Sequence, residues 1–153
     1  HAVIRQFLGD VTWGELDYLV VDLPPGTGDE ALSVAQTIQA VSGAIIVTTP
    51  QDVALLDARK SVDFARKLHI PILGIVENMS GFICPHCGKR TDIFKSGGGE
   101  QAANAMNEPF LGRIPLVADV VTHCDSGRPY VEQFPQSEMA QAFSQMADAC
   151  ETL

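Results

Sequence analysis

Two cysteines separated by two residues are the clearest candidates for metal chemistry in this sequence. They lie in Cys84-Pro85-His86-Cys87-Gly88-Lys89. A turn between such residues points both sulfurs the same way, so the pair can chelate one metal ion or one edge of a cluster. A tetrahedral site needs four ligands, and Cys124 and Cys150 follow no ligand spacing. A second copy of the chain is therefore expected to supply the other two thiolates.

Two alternatives remain for Cys84 and Cys87: a redox-active dithiol and a chemically inert pair. In thioredoxin-like oxidoreductases, the cysteine pair opens a helix whose N-terminus stabilises a thiolate. Here Gly88-Lys89 follows the second cysteine, which is typical of a metal-binding knuckle. The spacing thus favours a shared metal ion or cluster.

An acidic residue at the end of an apolar run is the second candidate for chemistry. Asp22 follows Leu19-Val20-Val21 and precedes Leu23-Pro24-Pro25-Gly26. As the last residue of a strand, Asp22 would lie at the carboxyl edge of a sheet and help to hold Mg²⁺ through a water, as a Walker B carboxylate does. The prolines stiffen the chain, and Gly26 allows a backbone N–H to approach a phosphate closely, which suits a γ-phosphate sensor. The alternative is an aspartate that caps the next helix.

The elements that must position these residues form a strand–helix repeat. The expected strands are residues 18–22, 44–48, 72–77 and 110–114, and the expected helices are residues 30–41, 53–68, 99–107 and 137–150. The strands lack polar and apolar alternation, which indicates a sheet covered on both faces. This order predicts an α/β fold with a doubly wound parallel sheet. Residues 81–98 form an insert that carries the cysteine pair, and residues 116–135 are expected to hold a short helix and a loop.

Composition and charge exclude several functional classes. The chain has 153 residues, a formal net charge of −9 and 46% apolar residues, which fits one folded domain with one core. The acidic balance argues against a nucleic-acid partner. The apolar runs are too short to span a membrane, and neither a signal peptide nor disulfide spacing is visible, so a cytoplasmic location is expected. Because the sequence starts at His1, we expect a piece of a longer protein.

Several blocks of the sequence, in order, resemble the Mrp/ApbC family of cytosolic P-loop ATPases, relatives of MinD and of the nitrogenase iron protein. The blocks are Val21-Asp22-Leu23-Pro24-Pro25-Gly26-Thr27-Gly28-Asp29, Val47-Thr48-Thr49-Pro50-Gln51, Val76-Glu77-Asn78-Met79-Ser80, Cys84-x-x-Cys87 and Gly112-Arg113-Ile114-Pro115-Leu116. The resemblance extends from about residue 6 to residue 134 and implies a P-loop NTPase-like fold.

The resemblance also implies roles for individual residues. Asp22 would serve Mg²⁺, and Gly26 would act as a switch at the γ-phosphate of ATP. Asn78 would hydrogen-bond the adenine edge, although an Asn at this point can also simply form a turn, and Pro115 and Leu116 would pack near the base.

The implied cargo is a four-iron, four-sulfur cluster. Cys84 and Cys87 would each give it a thiolate, and the cluster would bridge the two subunits of a homodimer. The parent protein would then be an ATP-dependent carrier that passes iron-sulfur clusters to apo-proteins.

One departure from the family concerns the phosphates. The Gly-rich phosphate loop with its Lys and Ser/Thr does not occur here, and Gly97-Gly98-Gly99-Glu100 cannot replace it because no Lys-Ser/Thr follows. We therefore expect residues 1–153 to be the part of one P-loop ATPase domain from Walker B onward. We expect this chain by itself to bind ATP poorly and not to hydrolyse it.

Two other functions remain open at this stage. One is a dimeric nucleotide-binding module bridged by structural Zn²⁺, which thiolate pairs bind readily. The other is a MinD-like positioning ATPase, against which the cysteine pair and the final helix without Lys or Arg both count.

Overall fold

The computed structural model describes residues 2–38 and 40–152. Its strands are β1 (Ala44–Thr48), β2 (Ile72–Glu77), β3 (Phe82–Ile83), β4 (Arg90–Thr91) and β5 (Phe110–Arg113). Its helices are α1 (Ala2–Gly9), α2 (Asp29–Thr37), α3 (Asp52–Lys67), α4 (Gly98–Met106), α5 (Val120–Asp125), α6 (Tyr130–Gln133) and α7 (Glu138–Glu151). The last three predicted strands and the last three predicted long helices match observed elements to within one residue at each end.

A parallel sheet of order β1-β2-β5 forms the centre of the molecule. Successive residues of a strand point to opposite faces, so Ile75 and Val76 of β2 enter two different apolar clusters. Both faces of the central strand β2 are covered, which confirms the predicted α/β fold with a parallel sheet, whereas Ile45 and Val47 on one face of the edge strand β1 are exposed. The sheet is small, as expected for an incomplete P-loop NTPase-like fold.

Different helices cover the two faces. On one face, α3 and α4 bring Ala58, Val62 and Ala103 against Ile75. On the other face, α7 brings Met139 and Met146 against Val76 and Ile114, while the short helices α5 and α6 pack around this second cluster. The carboxyl ends of the parallel strands β1, β2 and β5 therefore lie together at one edge of the sheet.

The strand predicted at residues 18–22 is wrong. In the structure these residues are exposed and belong to no helix or strand. A strand exists only where its backbone bonds a neighbour, and within the described residues no such bond joins this segment to the edge strand β1. The Tyr18 hydroxyl instead donates to Glu151 Oε1 at 3.0 Å, and this hydrogen bond raises the pKa of Tyr18.

The first predicted helix is also longer than the helix observed. α2 ends at Thr37, since Ile38 adopts an extended conformation with φ −87° and ψ 114°. The remainder of the prediction runs over residue 39, which lies outside the described residues. Helix α1 was not predicted; it contacts α2. No helix among the residues described has the length and apolar character to cross a membrane.

Candidate functional site

The cysteine pair lies at the tip of a small antiparallel hairpin formed by β3 and β4. The backbone N–H of Cys84 donates to the carbonyl of Lys89 at 3.1 Å, and the N–H of Gly88 donates back to the carbonyl of Cys84 at 2.8 Å. Gly88 has φ +67°, a conformation that glycine adopts without strain. The cysteine pair therefore lies in a tight turn closed by two backbone hydrogen bonds.

The environment of the two sulfurs favours metal binding. Both thiols are free; Cys84 is half-buried and Cys87 is exposed. The backbone N–H of His86 and then that of Cys87 donate to the Cys84 sulfur and lower the pKa of this thiol. A lowered pKa favours the thiolate, the form that binds a metal.

One chain does not complete a metal centre by itself. Across residues 2–38 and 40–152, no group of three or more His, Cys, Asp and Glu side chains is placed to hold a metal ion. The cysteines also lie in a hairpin turn and not at the start of a helix, which argues against the thioredoxin-like dithiol. Two sulfurs on an accessible tip are half of a tetrahedral ligand set.

Two basic residues attach the insert to the rest of the chain. Arg90 of β4 donates from Nη2 to the Ser80 carbonyl and from Nη1 to Glu138 Oε1 of α7, each at 2.7 Å. Lys95 pairs with Asp52 Oδ2 at the start of α3, at 2.9 Å. The hairpin is thus held against the two covering layers.

Three residues predicted to contact a base come together at the carboxyl edge of the sheet. Asn78 follows β2, and its N–H donates to the Thr48 carbonyl at 2.7 Å. Its Oδ1 accepts from the Met79 N–H at 2.9 Å, so the amide makes the local turn that was the alternative interpretation. Pro115 is fully buried after β5, and the Leu116 N–H donates to the Gly81 carbonyl at 2.8 Å, beside the Asn78 turn.

Asp22 and Gly26 are not joined to this group. Both are exposed, and among the described residues Asp22 belongs to no group of three or more side chains that could hold a metal ion. Gly26 has φ +95°, and a Cβ built there meets no atom within 4 Å. The segment with the predicted Mg²⁺ and γ-phosphate residues thus lacks the strand that would position it.

The glycine run 97–99 binds the buried carboxylate of Glu77. The N–H groups of Gly97 and Gly99 donate to Glu77 at 2.9 and 2.5 Å. Donors that already bind a buried carboxylate cannot cradle a phosphate, and its negative charge would repel one. The glycine run therefore does not fit the phosphates of a nucleotide.

The sequence motifs that contain Glu77 and Arg113 do not indicate that both side chains lie beside the site. The Glu77 side chain is fully buried, with the Arg113 Nε at 3.6 Å from its Oε1. Arg113 also pairs with Glu100 and lies over the Phe110 ring. The available signal was one acidic residue at the end of the apolar run Ile72–Glu77, because a buried charge needs partners.

The chain is similar to proteins named for the transfer and assembly of iron-sulfur clusters. The sequence model of the family described as ParA, NUBPL iron-transfer P-loop NTPase, matches residues 1–151. An iron-sulfur cluster carrier protein of Methanocaldococcus jannaschii is 59% identical over 130 residues, covering 85% of this chain and 45% of that protein. The cytosolic Fe-S cluster assembly factor NUBP2 of Rattus norvegicus is 45% identical over 149 residues, covering 96% and 55%.

A solved structure supports the fold. A nucleotide-binding protein of Archaeoglobus fulgidus in complex with ADP superposes with a TM-score of 0.72 at 42% identity, covering 90% of this chain and 59% of that one. The chain thus spans about half the length of the curated relatives that it matches.

Proposed function

Because the chain belongs to the ParA family of NUBPL-type iron-transfer P-loop NTPases, we propose that it belongs to a carrier of iron-sulfur clusters. Cys84 and Cys87 of two copies bind one four-iron, four-sulfur cluster between them, and the dimer passes this cargo to apo-proteins. In this proposal residues 81–98 are the cluster-binding insert of a single ATPase domain.

One observation carries the proposal: two free thiols lie at an accessible hairpin tip, with no third metal-binding side chain beside them among the described residues. Four thiolates are the usual ligand set of such a cluster. A two-fold axis at the hairpin tip would bring two pairs together. A cluster held in this way is reachable by the thiolates of an acceptor protein, which suits delivery.

The proposed nucleotide site belongs to the whole protein. Asn78 hydrogen-bonds the adenine, and Pro115 and Leu116 form the surface against which the base packs. Asp22 and Gly26 are assigned to Mg²⁺ and the γ-phosphate of ATP, with a phosphate loop supplied outside residues 1–153. Bound Mg-ATP would supply the charge that shifts the segment around Asp22 and Gly26. The whole protein would hydrolyse this ATP and is in this proposal an ATPase. The similar rat protein, NUBP2, is named a cytosolic Fe-S cluster assembly factor, and we propose a cytosolic location for this protein as well.

Anaerobic reconstitution with iron and sulfide tests the cluster role. The wild-type chain should develop the broad visible absorbance of an iron-sulfur cluster, and Cys84→Ala and Cys87→Ala should each lose it. Cys124→Ala is the matched control, because Cys124 is an exposed free cysteine outside the insert. Equal absorbance in Cys84→Ala and wild type would contradict the proposal.

The metal content of the purified chain distinguishes a cluster carrier from a dimer bridged by structural Zn²⁺. The proposal predicts iron and acid-labile sulfide in equal amounts after anaerobic handling. Zinc alone, retained after reconstitution and lost in Cys84→Ala, would instead support the Zn²⁺-bridged module.

A further inference from the structure

The buried carboxylate of Glu77 binds both ends of the segment that carries the cysteines. Its Oε1 accepts hydrogen bonds from Ser80 Oγ at 2.6 Å and from the Gly97 N–H at 2.9 Å, and its Oε2 accepts from the Gly99 N–H at 2.5 Å. Ser80 lies immediately before the insert 81–98, and Gly97 and Gly99 lie at its end and in the first turn of α4. One side chain thus joins the entry and the exit of the insert to the end of β2.

This arrangement requires a carboxylate. Each oxygen faces at least one backbone N–H, so an amide would turn an NH₂ group toward a donor at one of the two positions. The charge is stabilised by the N-terminus of α4 and by Arg113, whose buried Nε has no hydrogen-bond partner among the described residues. A glutamine fills the same space but cannot replace these interactions.

The hydrogen bond from Gly99 to Glu77 requires a glycine at residue 99. A Cβ on Gly99 would lie 2.9 Å from the Glu77 Cβ and 3.1 Å from its Oε2, closer than packed atoms approach. The N-terminus of α4 can therefore reach the carboxylate only without a side chain at residue 99. The glycine run thus attaches the end of the insert to the sheet through Glu77.

We propose that Glu77 is a positioning residue for the cysteine pair, holding the insert 81–98 in the orientation in which two copies can share one cluster. The inference rests on the proposed function, since only a bridging cluster needs two pairs in a fixed mutual orientation. Chelation by one pair depends instead on the local knuckle hydrogen bonds of Cys84 and Gly88, which Glu77 does not make.

The test compares Glu77→Gln with Glu108→Gln. Glu108 also pairs with an arginine, accepting from Arg66 Nε at 3.0 Å, but it does not contact the insert. After anaerobic reconstitution, Glu77→Gln should hold about tenfold less cluster than wild type, and Glu108→Gln should stay within about twofold, because hydrogen bonds to charged groups are the strong ones. Phenylarsine oxide, whose arsenic binds both sulfurs of one pair with loss of water, should bind all three proteins one to one.

Ser80→Ala gives a milder perturbation that does not depend on the stability of Glu77→Gln. It removes the Ser80 Oγ hydrogen bonds to Glu77 Oε1 at 2.6 Å and to Ser96 Oγ at 3.2 Å, and should reduce cluster content about threefold. Equal cluster content in Glu77→Gln and Glu108→Gln would overturn the inference, and so would loss of arsenical binding together with the cluster.

Hydrogen exchange in the metal-free chain tests the role of Glu77 independently of cluster assembly. If the wild-type chain assembles no cluster, that failure counts against the proposed function and not against the role of Glu77. Amides of residues 82–91 should exchange about tenfold faster in Glu77→Gln and within about twofold of wild type in Glu108→Gln. Unchanged exchange in Glu77→Gln would contradict the positioning role.

Discussion

The backbone N–H of Leu116 donates to the carbonyl of Gly81 at 2.8 Å. This hydrogen bond places the segment after β5 directly beside the start of the cysteine insert. In the opposite direction, the backbone N–H of Ser80 donates to the carbonyl of Ile114 at 2.9 Å. The segment proposed to contact a base and the start of the insert proposed to hold the cluster are therefore joined by backbone hydrogen bonds.

Replacing Arg90 by methionine should loosen the hairpin from the core. The variant loses the hydrogen bond to the Ser80 carbonyl and the pair with Glu138, at a cost of about 1 kcal/mol in the free energy of unfolding, since the side chain is partly exposed. Urea unfolding measures the change. Lys60→Met is the control: Lys60 and Asp57 are both exposed, so its loss should stay within about 0.5 kcal/mol. A larger effect at Lys60 than at Arg90 would contradict the assigned attachment.

Shortening Ile75 to valine tests the core beneath the site. Ile75 is fully buried between the sheet and helices α3 and α4, so the lost methylene should cost about 1 kcal/mol. Ile45 lies on the adjacent strand β1 and is 47% exposed; Ile45→Val should therefore change the free energy of unfolding by less than half as much. Equal losses, measured by chemical denaturation, would show that the sheet is not covered as described.

A methyl group at residue 98 should disturb the docking of α4. A Cβ there would lie 2.6 Å from the Pro50 backbone oxygen, and backbone moves less easily than a side chain, so we expect Gly98→Ala to lose about 1–3 kcal/mol. Gly9→Ala in α1 meets nothing within 4 Å and should be neutral or slightly stabilising. Thermal unfolding of both variants checks the difference, and a stabilised Gly98→Ala would refute the close approach.

The 153-residue chain should not hydrolyse ATP. The sequence carries no Walker A loop, and the glycine N–H groups at 97 and 99 bind Glu77, so this glycine run cannot replace the phosphate loop. A phosphate-release assay of the purified chain should match the buffer blank. Asp22→Asn is the control for contaminating activity. A turnover in wild type that Asp22→Asn abolishes would contradict this expectation.

Sequence patterns predicted those parts of the fold that depend on local composition. The apolar run Ile72–Glu77 is a strand in the structure because partners lie on both sides of it. Residues 18–22 have similar composition but no bonded neighbour among the described residues, and composition alone does not supply one. The knuckle around Cys84 was also predictable, since its hydrogen bonds are local.

The role of Glu77 could not be predicted from the sequence. Its partners Gly97 and Gly99 come from a distant part of the chain, and no periodicity of the sequence connects them with the end of β2. Only the packing of α4 on the sheet brings these groups together.

Iron determination combined with native mass spectrometry of the anaerobically reconstituted chain tests the central claim, a cluster shared by two copies, most directly. The account predicts a species with the mass of two chains plus one four-iron, four-sulfur cluster, with about two iron atoms per chain, and its absence in Cys84→Ala. A complete cluster on a single chain, or a dimer that forms equally well in Cys84→Ala with its iron, would contradict it.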